Sequence, residues 1–283
     1  MDIEEIINLL SEIGGFMNLN RTALIVTQKC TLKCKMCIGF MPYIKEPKEL
    51  TVEDSEKILC NYFTMVDNVE YFTLTGGEPL LNKNLNGIIL NLLKYKDKIK
   101  KEINIVTNGT IPLNQELIDI LVKNSDIFRV IISDYGKLSV NIDKVIESLS
   151  NNNINYKIHN YHGVNILYDG WVDFNDHSLK HITDEDKKNH ANACFFRKGK
   201  YYVIDEGELH LCHRSFWRMK NNIIEVDESQ YMNLLDDTYD YKINGKNKLS
   251  DMNKIISLNA CAYCNGATLN SKRYTPAIQL KLC

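Results

Sequence analysis

The chain has 283 residues, 44% of them hydrophobic, and a formal net charge of −2. That length suits one large domain plus a smaller one, and the apolar share is enough for a real core. The near-neutral balance provides no global basic field to draw in tRNA or DNA, and no apolar run reaches the length of a membrane span.

Residues 2–17 open acidic and place Ile3, Ile6, Ile7, Leu10 and Ile13 at helical spacing. An amphipathic helix within an N-terminal segment 1–20 is expected, rather than a signal peptide or a membrane anchor. From Arg21 to Leu167 strand-like runs alternate with helical ones. Strands are expected at 23–27, 69–75, 102–107, 127–133, 154–159 and 164–168. Thr51 with Asp54 three residues later marks a helix start ahead of Ile58, Leu59 and Phe63. Residues 84–93 carry Leu85, Ile88, Ile89, Leu92 and Leu93, and Asn114 and Asn141 are placed to cap helices through Leu121 and Leu149. Six strand–helix units imply parallel strands with right-handed crossovers. The fold class is therefore α/β, a partial (β/α)6 TIM-type barrel over residues 21–185.

The loop leaving the first strand holds Cys30, Cys34 and Cys37, spaced C-x3-C-x2-C. Three thiolates on a four-iron cluster leave one iron open to bind a substrate or cofactor, and strand C-terminal ends are where such folds place their chemistry. A zinc site is the plain alternative, although zinc usually takes four ligands. Thr75-Gly76-Gly77-Glu78-Pro79 follows the second strand, where two glycines let backbone approach a ligand and Glu78 offers a carboxylate. Asn108 follows the third strand, and Ser133 with Tyr135 the fourth. Cys60 sits among apolar helix residues and is expected to be a small core residue.

Beyond residue 169 the rhythm breaks. His177, His181 and His190 lie among Asp and Lys and are expected on solvated surface. Residues 200–205 and 209–212 flank Glu206-Gly207, a hairpin with a glycine turn. Cys194, Cys212, Cys261 and Cys264 supply four more thiolates, enough for a closed cluster, with a structural zinc site as the alternative. Cys283 has no assigned role. Nine cysteines in an unexported chain argue for metal ligation in a reducing cytoplasm rather than disulfides.

The C-x3-C-x2-C spacing resembles that of the radical S-adenosylmethionine (radical SAM) superfamily. The resemblance implies a [4Fe-4S] cluster on Cys30, Cys34 and Cys37 whose open iron chelates S-adenosylmethionine. One electron then releases a 5′-deoxyadenosyl radical that abstracts hydrogen. Met36 stands where the family prefers an aromatic residue and is apolar enough to pack on an adenine. The resemblance also implies that the loop Gly76, Gly77, Glu78, Pro79 contacts the methionyl amine, and that Asn108 and Ser133 bind ribose or carboxylate. The spacing from Cys194 through Gly207 to Cys212, followed by C-x2-C, is similar to the Twitch domain, a short SPASM relative. That implies one auxiliary [4Fe-4S] cluster in residues 186–283.

The layout is similar to the group that includes 2-deoxy-scyllo-inosamine dehydrogenase. Implied is radical dehydrogenation or epimerisation of a polar small molecule, a sugar or aminocyclitol, with the auxiliary cluster as electron acceptor or donor. Only about twenty residues precede the first strand, so no fused leader-peptide-binding domain is expected there. Candidate catalytic side chains are Tyr135, His213 and Arg214, with Arg129 a further base candidate and Arg214 expected on a strand facing the mouth. Peptide modification, as epimerase or thioether-forming enzyme, is the rival. A non-catalytic iron–sulfur or zinc protein is the reading from another class. A flavodoxin or ferredoxin reductant and a cytoplasmic location are expected.

Overall fold

The computed structural model describes residues 16–168 and 170–281. The expected N-terminal helix, up to residue 15, and Cys283 lie outside the described residues. Among the described residues eight strands form one sheet: β1 Asn18–Thr27, β2 Asn68–Gly76, β3 Ile99–Thr107, β4 Phe128–Asp134, β5 Tyr156–Asn160, β6 Tyr201–Asp205, β7 Glu208–His210 and β8 Tyr231–Asn233. The spatial order is β5-β4-β3-β2-β1-β6-β7-β8. β1 to β6 are parallel, while β7 and β8 run antiparallel at one edge. The sheet stays open, as a partial barrel requires.

Strands in such a sheet are covered on both faces and read as near-continuous apolar runs. Leu24 and Val26 of β1 join Phe72, Leu74, Ile103, Ile105, Val130 and Ile132 in the main core. The helices α1 Val52–Met65, α2 Leu85–Leu93, α3 Gln115–Lys123 and α4 Ile142–Asn151 close it with Ile58, Leu59, Ile88, Leu92, Leu121, Val145 and Leu149. On the other face Ile25 packs with Met41 and Val203. The caps form where the sequence places them: Thr51 Oγ1 accepts from Asp54 N at 3.0 Å, and Asn114 Oδ1 from Leu117 N at 2.8 Å. Asn141 differs, because its side chain donates to Thr110 O instead and ties two loops together.

Residues 164–168 form no strand. Val164 is 98% exposed, so the run has no apolar face to bury against the sheet. The sixth parallel strand is β6, which pairs with β1 from Arg21–Tyr201 to Leu24–Ile204. The hairpin therefore extends the core sheet. Its turn has Glu206 at φ 48° and Gly207 at φ 80°, the positive pair that two-residue hairpins need.

Cys60 is exposed, not core. The buried stripe of α1 runs Ser55, Ile58, Leu59, Tyr62, Phe63, and position 60 falls outside it. The remaining helices are α5 Asp184–Ala193, α6 Phe195–Lys198, α7 His213–Lys220 and α8 Lys246–Lys254.

Candidate active site

The loops leaving β1, β2, β3 and β4 meet at the C-terminal edge of the sheet. Gly77 N donates to Thr27 O at 2.8 Å and Glu78 N to Lys29 O at 2.9 Å, so the glycine loop is laced to the cysteine loop by backbone. A Cβ on Gly76 would lie 2.1 Å from Thr27 O, and one on Gly77 2.0 Å from Lys29 O. Glycine is required here first for contact between two loops; the sequence had suggested approach to a ligand.

Glu78 is fully buried. Its carboxylate accepts from Thr107 Oγ1 at 2.9 Å, Asn108 N at 2.7 Å and Leu80 N at 3.1 Å. Burial pushes this carboxyl up to about 7, against the pull of those three bonds. The side chain braces the loop after β3 against the loop after β2.

Each thiol of the first set has its own N–H donors. Leu32 N points at Cys30 Sγ at 3.4 Å, and Asn108 Nδ2 at 3.7 Å. Gln279 Nε2 reaches Cys34 Sγ at 3.4 Å. Backbone N–H groups of Met41, Gly39 and Phe40 serve Cys37. Burial nevertheless pushes Cys30 up to about 11 and Cys34 to about 12, and raises Cys37. Donors aimed at buried sulfurs suit thiolates that ligate a metal cluster, because a ligated thiol has lost its proton and gains from every N–H.

Asn108 also donates to Thr31 Oγ1 at 3.0 Å, which holds it over the cysteine loop. Ser133 is buried at the end of β4, and Met36 is buried within the cysteine loop. Ser139, which sequence reasoning missed, donates to Asn108 O at 2.7 Å and accepts from Tyr135 N at 2.9 Å. Nothing local in the sequence separates it from an ordinary turn serine. Tyr135 stacks on Tyr161 at 5.3 Å and meets Trp171 edge-on at 5.7 Å, and burial drives its phenol well above the usual range. Beside them His162 Nε2 lies 3.0 Å from Asp134 Oδ2, a pair that sequence reasoning also missed. Arg129 is engaged at 2.7 Å with Glu102, early in β4 and away from the loop end.

The second set of thiols is assembled from four places. Cys194 ends α5, Cys212 precedes α7, Cys261 lies in the turn Asn259–Tyr263, and Cys264 follows it. Leu258 N donates to Cys261 Sγ at 3.4 Å and Gly266 N to Cys264 Sγ at 3.3 Å. Burial pushes Cys261 up to about 12, with Cys212 and Cys264 adding to it. Arg214 corrects its expected placement: it is on the first turn of α7, not on a strand, and it is buried. Its guanidinium lies 4.2 Å from the Phe196 ring centre and 5.0 Å from that of Phe174. Burial opposes its charge, but Cys212, Cys264 and Cys194 offset that and hold it more firmly protonated.

The two sets are joined by a buried polar chain. His213 Nε2 pairs with Asp205 Oδ2 at 2.8 Å, and Gln28 Nε2 donates to Asp205 Oδ1 at 3.0 Å. His213 thus follows Cys212 while Gln28 precedes Cys30 by two residues. The three expected surface histidines are half-buried instead. His177 stacks on Trp217 at 5.3 Å and accepts from Arg218 Nε at 3.3 Å, and His181 stacks on His190 at 4.0 Å. Among the described residues no three His, Cys, Asp or Glu side chains converge tightly enough for a single metal ion.

Residues 24–134 match the radical SAM superfamily profile. In sequence, the chain is similar to the GTP 3′,8-cyclase of Campylobacter jejuni strain RM1221, 35% identical over 101 residues, 36% of this chain and 30% of that protein. The Nitrobacter winogradskyi protein of the same name is 32% identical over 95 residues, 33% of this chain and 27% of its own length. The chain therefore spans under a third of these curated relatives. In fold it is similar to BtrN, crystallised with AdoMet and 2-DOIA, with TM-score 0.55 and 16% identity over 91% of this chain and 97% of BtrN. It is also similar to native anSMEcpe with bound AdoMet, with TM-score 0.53 and 14% identity over 90% of this chain and 93% of that one.

Proposed function

The chain carries a radical SAM domain over residues 24–134, and from that premise we propose that it is an enzyme that abstracts hydrogen from a polar small molecule, a sugar or aminocyclitol, to dehydrogenate or epimerise it. With a [4Fe-4S] cluster and S-adenosylmethionine bound, one electron supplies a 5′-deoxyadenosyl radical. Cys30, Cys34 and Cys37 would hold that cluster. Gly76, Gly77, Asn108, Ser133 and Met36 border the cofactor, with Glu78 and Pro79 fixing the loop. Residues 186–283 hold an auxiliary [4Fe-4S] cluster on Cys194, Cys212, Cys261 and Cys264. The substrate sits at the C-terminal edge of β4 and β5, beside Tyr135, Tyr161 and the Asp134–His162 pair, which orient hydroxyl or amine groups and shield the radical from water. A flavodoxin or ferredoxin delivers the electron in the cytoplasm. No helix among the described residues is long and apolar enough to cross a membrane.

One observation carries this reading: three thiols in the loop after β1, and a second set of which Cys194, Cys212 and Cys264 act on the buried Arg214, joined through Gln28, Asp205 and His213. A closed four-thiol site suits an electron relay because it needs no substrate ligand. The likeness to BtrN in fold supports a small substrate. A purine nucleotide is the second reading, because the sequence relatives bear the name GTP 3′,8-cyclase.

Iron content tests the two-cluster claim. Anaerobically reconstituted protein is expected to hold about eight irons, and a Cys194→Ala, Cys261→Ala double variant about four. Arg214→Leu removes the cation that faces Cys194, Cys212 and Cys264 and is expected to lose the second cluster's iron on desalting while keeping the first. Wild-type protein that saturates with zinc, or at about four irons, contradicts the reading. Turnover in deuterated water then sorts the reaction: deuterium gained at carbon marks epimerisation, and a two-hydrogen mass loss marks dehydrogenation.

A further inference from the structure

Residues 277–280 lie antiparallel on the cysteine loop, 245 positions from the thiol they reach. Lys35 N donates to Ile278 O at 2.6 Å and Leu280 N to Lys33 O at 2.8 Å, which pairs Gln279 with Cys34 across an isolated bridge. Ala277, buried at φ 54°, packs with Leu32 and Cys34 and turns the chain into this pairing. The Gln279 side chain folds back over the loop. Its Oε1 accepts from Lys33 N at 2.7 Å, and its Nε2 donates to Ala277 O at 2.7 Å and to Cys34 Sγ at 3.4 Å. The orientation of the amide is dictated by its partners. Lys33 N–H needs an acceptor and Ala277 C=O a donor, so the NH2 end must face the sulfur.

We propose that Gln279 is a positioning residue for the first cluster: its amide holds the Cys34 thiolate and raises the cluster's reduction potential through an N–H···S bond. The proposal rests on the radical SAM reading. The physics is that reduction adds negative charge to a cluster already ringed by thiolates. An N–H dipole aimed at one sulfur stabilises the reduced state more than the oxidised one. Cys30 receives a longer contact from Asn108, at 3.7 Å, and among the described residues Cys37 has only backbone donors. Gln279 is therefore the shortest side-chain amide contact to a sulfur of the set, and it comes from outside the residues that match the family profile.

The test is a redox titration of the reconstituted protein, followed by the electron paramagnetic resonance signal of the reduced first cluster, in a Cys194→Ala, Cys261→Ala background. Gln279→Leu removes the donor at similar size. Gln279→Glu keeps the Lys33 bond and turns an unprotonated oxygen to the sulfur. Backbone pairing through Ile278 and Leu280 does not involve the side chain, so the segment stays docked in both. Both variants are expected to load iron like the parent and to shift to lower potential. At fixed ambient potential the reduced-to-oxidised ratio drops roughly tenfold, about 59 mV for one electron. Full loading with an unchanged or raised midpoint overturns the proposal. So does loss of iron in both variants, since the cysteines are held to keep the cluster without Gln279. If the parent protein itself forms no such cluster, the radical SAM reading fails instead.

Discussion

Gly77→Ala is expected to abolish iron binding at the first thiol set while sparing the second. The new methyl carbon lands 2.0 Å from Lys29 O and 3.0 Å from Cys30 Cβ. The obstacle is backbone, which cannot swing aside as the end of a side chain can. Either the cysteine loop or the glycine loop must move, and both Gly77 N–Thr27 O and Glu78 N–Lys29 O bonds are lost with it. Iron assays are expected to fall from about eight to about four per chain, with no 5′-deoxyadenosine formed. Full iron loading in this variant would show that the two loops are not interlocked as described. Gly76→Ala is expected to behave alike, since its φ of 152° and a 2.1 Å approach to Thr27 O leave no room either.

Glu78→Gln carries the second large effect, and its size depends on pH. The native carboxyl ionises only near 7, against an ordinary value of 4.5. Below the ordinary value both folded and unfolded chains are protonated. As pH rises from about 4.5 to about 7, the unfolded chain ionises while the folded one resists, so folding loses stability across that window. Above it the loss is constant. The whole change is of order 3 kcal/mol, at about 1.4 kcal/mol per pH unit. Glutamine does not titrate, but whichever way its amide turns, the NH2 opposes a backbone N–H that Glu78 accepts, that of Asn108 at 2.7 Å or that of Leu80 at 3.1 Å. The variant is therefore expected to be less stable at pH 5 by about 2 kcal/mol, as for a buried donor left unpaired. Its deficit should shrink or reverse by pH 8. Denaturant titrations of both proteins at the two pH values check this. A deficit that is equal at both would mean that Glu78 is ionised throughout.

Local signals were legible in the sequence. The strands from β1 to β5 and the helices between them follow from apolar period, and the Thr51 and Asn114 caps form as read. The hairpin turn at Glu206-Gly207 was likewise carried by its own residues. What the sequence hid was partner choice. Residues 164–168 look as strand-like as β6, and only the docking of the hairpin on β1 decides between them. Arg214 read as strand because it follows β7 closely, yet the chain turns into α7 at Cys212 and carries it inside. Cys60 is a different case. A helical stripe drawn through Ile58, Leu59, Tyr62 and Phe63 leaves position 60 outside, so period alone could have placed it. The contacts of Gln279 with Cys34 and of Ser139 with Asn108 join residues with no shared local pattern.

The most direct measurement is formation of 5′-deoxyadenosine from S-adenosylmethionine by the reduced, reconstituted protein. The account predicts cleavage by the parent chain and by the Cys194→Ala, Cys261→Ala variant, and none above background after Cys30→Ala, Cys34→Ala or Cys37→Ala. Cleavage that survives loss of any one of those three thiols would contradict it.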